Sequence, residues 1–304
     1  MRVLNASHVA DTGGNGFRTA EAFARLAPSW HYRSTCRTTN YLAYPADLPW
    51  DQALTEWERA DVVHVRDGFQ AEALLGAPRR PTVIHQHGTQ FRRHSHELLA
   101  QQRARGAIGL AATLDLYLMA PDDLVWAPAL YDLDGLAELG EPVNDGVLRI
   151  AHAPTNRAIK GTEAFLRAVR RLGQEIPVEV ILIERTSWAE CLMRKARADV
   201  YFDQVALGYG NNAIEAWGMG QPVIAGGADA TLAEMERRFG SLPFVLADEG
   251  SILSALRTLA EPAARESWAL RGRQHAEQYH SEAAGVAFLQ GIYTAAVERQ
   301  AVAA

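Results

Sequence analysis

The feature that most constrains this chain is its alternation of short apolar, β-rich runs with longer helical stretches, which restarts halfway along. Arg2 to Ser7 reads as a strand, a Gly13-Gly14-Asn15-Gly16 turn follows, and a helix runs from about Phe17 to Leu26. Asp61–Val65 and Pro81–His85 read as further short strands. Gln101 to Leu118 mixes helix and strand signals that periodicity does not separate. After a polar, turn-rich stretch at 138–147 the alternation begins again with a strand at Leu148–His152 and a helix at Thr162–Leu172. Val178–Ile183 has the near-continuous apolar character of a buried parallel strand. Ser187-Trp188-Ala189-Glu190 is a capping box that opens a helix to about Ala196. Asp199–Phe202 and Pro222–Ala225 are strands flanking a helix at Asn212–Met219, and 261–302 reads as two or three helices. Strands alternating with helices predict parallel sheets and the α/β class, here as two Rossmann-like units with a cleft between the carboxyl ends of their strands.

Composition narrows the function classes. The 304 residues suit two domains, and 48% hydrophobic with 22% charged residues excludes a disordered chain. A net charge of −6 argues against a strongly basic nucleic-acid binder. Cys36 and Cys191 fit no CxxC spacing, which points to a reducing, cytoplasmic compartment. The N-terminus turns polar too early for a signal peptide, and Asp115 interrupts the longest apolar run, Gly106 to Ala120. Of the 30 basic residues all but Lys160 and Lys195 are arginines, which singles out those two positions.

Three junctions carry chemistry. At the first, Gly14 and Asn15 sit where a strand passes into a helix, a place where backbone amides attract anions. Thr19 stands where a third glycine would complete GxGxxG, so a dinucleotide site is disfavoured. The second junction, His152 to Thr162, places Arg157 and Lys160 three residues apart in the turn before a helix. A guanidinium and an ammonium there can hold a diphosphate, although such a pair in a loop is more often simply solvated. At the third, Gly208-Tyr209-Gly210 leads into a helix that carries Glu215. Loop amides can face phosphate, and the carboxylate can accept two ribose hydroxyls or merely complement the helix dipole.

Residues 148–227 resemble the donor-binding domain of GT-B glycosyltransferases, specifically the retaining family 4. The resemblance is carried by Arg157, Lys160-Gly161 and the run Glu215-Ala216-Trp217-Gly218-Met219-Gly220-Gln221-Pro222-Val223. It is looser before residue 140, through Gly13-Gly14 and His87-Gly88. It implies an N-terminal acceptor-side domain at 1–142, a nucleotide-sugar domain at 143–280, and a last helix, 281–304, returning to the first domain. It implies a glycosyltransferase of the hexosyltransferase kind, moving sugar from a nucleoside-diphosphate donor to a hydroxyl with retention. His87, Arg157 and Lys160 are the expected catalytic residues. Gly14, Asn15, Gly208, Tyr209, Gly210 and Glu215 join Arg157 and Lys160 in binding the donor. No cofactor and no essential metal are expected. Leu207 departs from the pattern, since the family has an acid there that faces the donor sugar; Asp203 or Gln204 are the nearby candidates to replace it. A non-catalytic sugar-nucleotide or glycan-binding protein and a sugar-nucleotide epimerase are the alternatives on the same fold.

Five histidines lie between 64 and 96: His64, His85, His87, His94 and His96. No adjacent carboxylate completes a metal-ligand set around His85-Gln86-His87, so a metal site is disfavoured. Residues 91–105 read as a basic amphipathic helix, a surface for an anionic acceptor or a peripheral membrane contact, although such a run is usually a solvated face. The acceptor class, whether glycan, lipid, protein or nucleic-acid base, is left open.

Overall fold

The computed structural model describes every residue except 12, 46, 77–79, 141–142 and 304, and the side chains of 302 and 303. In chain order the elements are β1 (Arg2–Ser7), α1 (Asn15–Leu26), β2 (His31–Cys36), α2 (Ala53–Arg59), β3 (Val62–Arg66), α3 (Gln70–Leu75), β4 (Thr82–Gln86), α4 (Gly88–Arg105), β5 (Ile108–Ala111), α5 (Leu114–Leu118) and β6 (Leu124–Trp126). They continue with α6 (Leu133–Leu139), β7 (Leu148–His152), α7 (Arg157–Lys160), α8 (Thr162–Leu172), β8 (Val178–Leu182), α9 (Trp188–Lys195), β9 (Val200–Gln204), β10 (Leu207–Gly208) and α10 (Asn211–Gly218). The chain ends with β11 (Val223–Gly227), α11 (Asp229–Phe239), β12 (Val245–Leu246), α12 (Ile252–Ala260), α13 (Pro262–His280) and α14 (Glu282–Ala303).

The chain divides into two compact units, Met1–Leu130 with Glu282–Ala304, and Tyr131–Ser281. The C-terminal helix α14 therefore belongs with the first unit. The boundary drawn at 142/143 from sequence falls where residues 141–142 lie outside the described set, and the structure divides the chain earlier. The reason is packing: α6 belongs to the second unit because Leu136 lies against Gly218 of α10, so closely that a Cβ there would meet Leu136 Cδ1 at 2.7 Å.

In the first unit a six-stranded, all-parallel sheet runs β2-β1-β3-β4-β5-β6. Both faces are covered, so its strands are buried on both sides. One core gathers Val3, Phe23, Tyr32, Val62, Val83 and Tyr293 of α14. Phe23 stacks on Tyr32 at 4.7 Å, and Tyr293 joins the same aromatic cluster. On the other face Leu4, Trp57, Val63, Val65 and Ile84 form a second core. The order reverses between β1 and β3, a topological switch point where the carboxyl ends of strands leave room for a ligand.

The second unit has a sheet of order β10-β11-β9-β7-β8, with β12 beside β11. Only β10 runs antiparallel. Its core centres on Ile150, Phe165, Val200, Phe202, Ile224 and Leu256, with Phe165 stacked on Phe202 at 4.6 Å. Here the switch point lies between β7 and β9. Gly161, at φ 69°, lets the chain turn there from α7 into α8; a Cβ would strike Val205 at 2.9 Å.

Two glycines test this packing in opposite directions. In α13 a Cβ on Gly272 would sit 2.1 Å from the Trp217 indole, whereas in α14 one on Gly291 would meet nothing within 4 Å. Gly272→Ala is expected to destabilise the protein by about 1–3 kcal/mol through overpacking. Gly291→Ala should stabilise it by about 0.5–1 kcal/mol through helix propensity. Urea titration of both variants reads the two signs.

Candidate functional site

The second unit's site is built at its switch point. β7 ends in His152, which is fully buried and hydrogen-bonded at both ring nitrogens, to the Phe202 carbonyl at 2.9 Å and the Thr162 hydroxyl at 2.8 Å. A carbonyl can only accept, so Nδ1 carries the proton and Nε2 accepts from the hydroxyl. This bond ties the end of β7 to the start of α8 and fixes the loop between them. On that loop Asn156 caps α7 through the Ile159 amide, and α7 delivers Lys160 to the end of β9.

Lys160 donates to Asp203 Oδ1 at 2.8 Å. The other oxygen of Asp203 accepts from the Gly210 amide at 2.7 Å, at the N-cap of α10. The Asp203 side chain is fully buried and that of Lys160 nearly so. One carboxylate thus joins the loop after β7, the end of β9 and the start of α10. It engages only part of the ammonium's three-donor capacity, and it aims that group at a helix N-terminus. Gly210 lies so close that a Cβ there would be 3.8 Å from Lys160 Nζ.

Arg157 lies at the same junction but is half-exposed. Its guanidinium forks onto Glu184 at 2.8 and 2.7 Å and also reaches Glu163 at 3.0 Å. These bonds raise its already high pKa, so it is a cation at all working pH values. Its charge is shared with two acids rather than left open.

Three of the residues in this part of the sequence are held in buried contacts of their own. Glu215 is only 2% exposed, and its carboxylate accepts from Trp188 Nε1 at 2.9 Å and Lys195 Nζ at 2.5 Å. It ties α9 to α10. Lys195, the second lysine that the composition singles out, is completely buried; besides Glu215 it donates to Asn212 Oδ1 at 2.8 Å and lies over the Tyr201 ring at 4.9 Å. Burial forces this pairing, because an unpaired charge in that interior is far too costly. The Tyr209 side chain also turns inward. Its hydroxyl lies 3.0 Å from both His275 and His280, and its ring meets Trp217 edge-on at 4.9 Å. Gly208, at φ 80°, carries the turn that makes this possible, and its carbonyl accepts from Gln204. Leu207 is paired in β10 opposite Gly227, and Asp203, the proposed replacement acid, is committed to Lys160 and Gly210.

The first unit gathers the remaining residues at the carboxyl ends of β1, β3 and β4. Gly14, at φ 65°, is the N-cap of α1, and the Tyr44 ring and Arg18 fill the space a Cβ would need. Asp11 caps the same helix by accepting from the Gly16 amide at 2.8 Å and pairs with buried Arg66. Burial works against its charge, but Arg66 and Arg18 outweigh that, and its pKa is lowered. Asn15 Nδ2 lies 3.3 Å from His87 Nε2. His87 also lies against Asp67, with Nδ1 to Oδ1 3.3 Å. The His85 ring packs 4.3 Å from that of His87, on the same face of β4 as the two-residue period predicts. His64 of β3 stacks behind His85 at 5.5 Å and is held by the Tyr293 hydroxyl at 2.8 Å.

The expected basic helix is kinked at His94, and acids pair with three of its arginines. Arg92 forks onto Asp115, Arg103 onto Asp123, and Arg105 reaches Glu72 at 3.1 Å. Among the described residues no helix is long and apolar enough to cross a membrane, and no three histidine, cysteine or carboxylate groups cluster to hold a metal ion.

No protein-family profile matches the chain, and no curated protein matches it in sequence. Solved structures do match. Anabaena HepE, solved with UDP and glucose, superposes with a TM-score of 0.67 at 13% identity, covering 97% of this chain and all of that one. An alpha-glucosyltransferase solved with UDP and a 13-mer DNA gives 0.66 at 11% identity, covering 97% of this chain and 99% of that one. A putative UDP-N-acetylglucosamine 2-epimerase from Listeria monocytogenes gives 0.61 at 13%, over 96% of this chain and 95% of that one. At these identities the likeness is one of fold, and the fold is GT-B, two Rossmann-like units.

Two measurements follow from this geometry. Lys195→Ala should destabilise the protein by about 3–5 kcal/mol, because it strands the Glu215 carboxylate in the interior. Lys195→Ala with Glu215→Leu should recover much of that loss, and thermal melting compares the two.

Four buried histidines stay neutral in the folded protein. Burial lowers the pKa of His64 to about 3, with Arg66 and His87 adding to it, and lowers that of His152 to about 4 and of His275 to about 2. Burial, then His87, His64 and Arg66, push His85 well down. The unfolded chain protonates these groups near pH 6.5, so stability is unaffected above that and falls as the pH drops below it. The slope should approach about 1.4 kcal/mol per pH unit for each histidine still neutral when folded. Urea midpoints from pH 7 to 4.5 should fall, and less steeply in His275→Gln; a flat profile would mean these rings protonate in place.

Proposed function

We propose that this chain is a glycosyltransferase that takes a nucleoside-diphosphate sugar in its second unit and passes the sugar to a hydroxyl acceptor. The observation that carries this reading is Lys160, held by Asp203 at the N-terminus of α10 at the sheet's switch point. A diphosphate there would take the remaining Nζ donors and lie against the helix dipole, while Arg157 would trade part of its bonding to Glu184 and Glu163 for phosphate oxygens. In transfer the same groups stabilise the charge that builds on the departing diphosphate, a contribution of several kcal/mol in a water-poor site. The chemistry needs no metal where side-chain cations and helix amides take that charge. UDP in the HepE and alpha-glucosyltransferase structures supports a uridine nucleotide, and glucose with HepE supports a hexose. His87 in the first unit is the residue for the hydroxyl partner.

A binding protein without turnover is the second reading. It draws on Leu207, which leaves the sugar-facing acid of the resembled family unfilled, and on Glu215, which is committed to Lys195 and Trp188. The fold shared with a putative 2-epimerase adds epimerisation without an acceptor to the outcomes a transfer assay must separate.

UDP should raise the melting temperature with a chelator present, and at 100 times its dissociation constant it should add about 2.7 kcal/mol of stability. Lys160→Ala should weaken UDP by about 1.5–3 kcal/mol, the value of a charge-assisted hydrogen bond. If neither UDP nor GDP at millimolar concentration shifts the melting point, the donor reading is wrong.

A further inference from the structure

The chain leaving β8 closes on the half-exposed Arg157. β8 runs beside β7 with Leu182 opposite His152, and the Ile183 amide extends the pairing by donating to the His152 carbonyl at 2.9 Å. Glu184 follows directly and meets Arg157 on the loop after β7. Arg185, next in the chain, sits at φ 50°, in the left-handed region that a bulky side chain seldom adopts. Two residues on, Ser187 caps α9 through the Glu190 amide. Backbone in that region persists only where its surroundings fix it, and such strain gathers at ligand clamps. The position of Glu184 is thus set by the ladder on one side and by the strained turn on the other.

Glu184 takes a particular part of the guanidinium. Its Oε1 accepts from Arg157 Nε at 2.8 Å and its Oε2 from Nη2 at 2.7 Å. Nε and Nη2 form an edge with two parallel N–H bonds, the geometry by which arginine grips a phosphate. Glu163 accepts from Nη1 at 3.0 Å, so the two acids engage three of the five N–H bonds. The hydrogen bonds from Arg157 hold the Glu184 carboxyl below its usual range, so it is ionised. The side chains of Arg157, Glu184 and Glu163 are 45%, 33% and 61% exposed. Solvent therefore screens these pairs, and they exchange partners readily, unlike the sealed contact of Lys160 with Asp203.

We propose that Glu184 is a built-in competitor of the diphosphate: its carboxylate occupies the phosphate-gripping edge of Arg157, and a nucleotide must displace it. This rests on the donor reading above. When phosphate oxygens take that edge, Glu184 is left beside them as an unpaired anion. The repulsion grows with the charge of the ligand. A nucleoside diphosphate with a free terminal phosphate carries about one more negative charge at neutral pH than its sugar ester. The competitor therefore weakens the product more than the donor, and it favours release of the diphosphate after transfer.

Calorimetry of the full-length protein with UDP, GDP and UDP-glucose tests this in the wild type, Glu184→Gln, Arg157→Ala and the double variant. Glutamine keeps the size of the side chain and removes its charge. Glu184→Gln should tighten the nucleoside diphosphate about 2- to 5-fold, the range of an exposed ion pair, and UDP-glucose by less. In the Arg157→Ala background the same substitution should change affinity little, because the competitor acts through Arg157. Equal tightening in both backgrounds would mean a general loss of negative charge and overturns the competitor. Unchanged or weaker binding in Glu184→Gln overturns it too, and equal gains for UDP and UDP-glucose overturn the discrimination between product and donor. In each of these cases the wild type binds nucleotide and the donor site stands. A wild type that binds none of the three ligands removes the donor reading, and the competitor with it.

Discussion

The bond between Lys160 and Asp203 is the constraint on which the candidate donor site depends. Asp203 is the last residue but one of β9 and is fully buried, so it cannot swing out to solvent. Its two oxygens pull the loop after β7 and the first residue of the turn into α10 onto one point. Without that carboxylate, Lys160 would be a flexible surface cation and the α10 N-terminus would have no partner fixed beside it. The charge is largely balanced before any ligand arrives, since Lys160 is offset by Asp203 and Arg157 by Glu184 and Glu163. Net charge at this junction is therefore small, and what remains directed outward is set by the remaining N–H bonds and the helix dipole.

The first unit uses the same economy with different residues. Buried Arg66 and Asp11 neutralise each other beneath α1, and Asp67 faces His87. Behind His87 stand His85 and His64, both kept neutral by burial. Each unit therefore places an acid and a base at the carboxyl ends of its strands, where the parallel sheet leaves backbone and side chains free to face a ligand.

Much of this was legible in the sequence because it follows from periodicity. β1 begins and ends as the apolar run does, and β7, α8 and α9 lie where the alternation and the Ser187 cap put them. The stretch from Gln101 to Leu118 resisted because it holds the end of α4, all of β5 and all of α5, three short elements with no full period among them. β2 was missed for a related reason: His31 to Cys36 is polar in four of its six positions, and only the sheet around it makes it a strand. Sequence placed Lys160 in the loop region that follows β7 and His87 directly after β4, and both lie there. The contact of Asp67 with His87 was not legible, because it comes from a left-handed backbone and a partner twenty residues away.

The two lysines show why residue type and spacing reach only so far. Both precede small structural breaks, both pair with one carboxylate, and both stand out against a background of arginine. Their difference is burial. Lys195 is sealed, with Glu215, Asn212 and the Tyr201 face consuming its donors, so its charge serves only to keep Glu215 ionised inside the fold. Lys160 keeps part of its surface exposed, and one bond to Asp203 leaves two donors uncommitted to it. Nothing in the sequence spacing links Glu215 to Lys195, and packing joins them to each other. An acid that the resembled family turns toward ribose becomes here the partner of a buried ammonium, because Lys195 on α9 faces Glu215 on α10 and neither can be left unpaired. In the second unit the β7–α8 loop and the α10 N-terminus are where Lys160 and the Gly210 amide meet on Asp203.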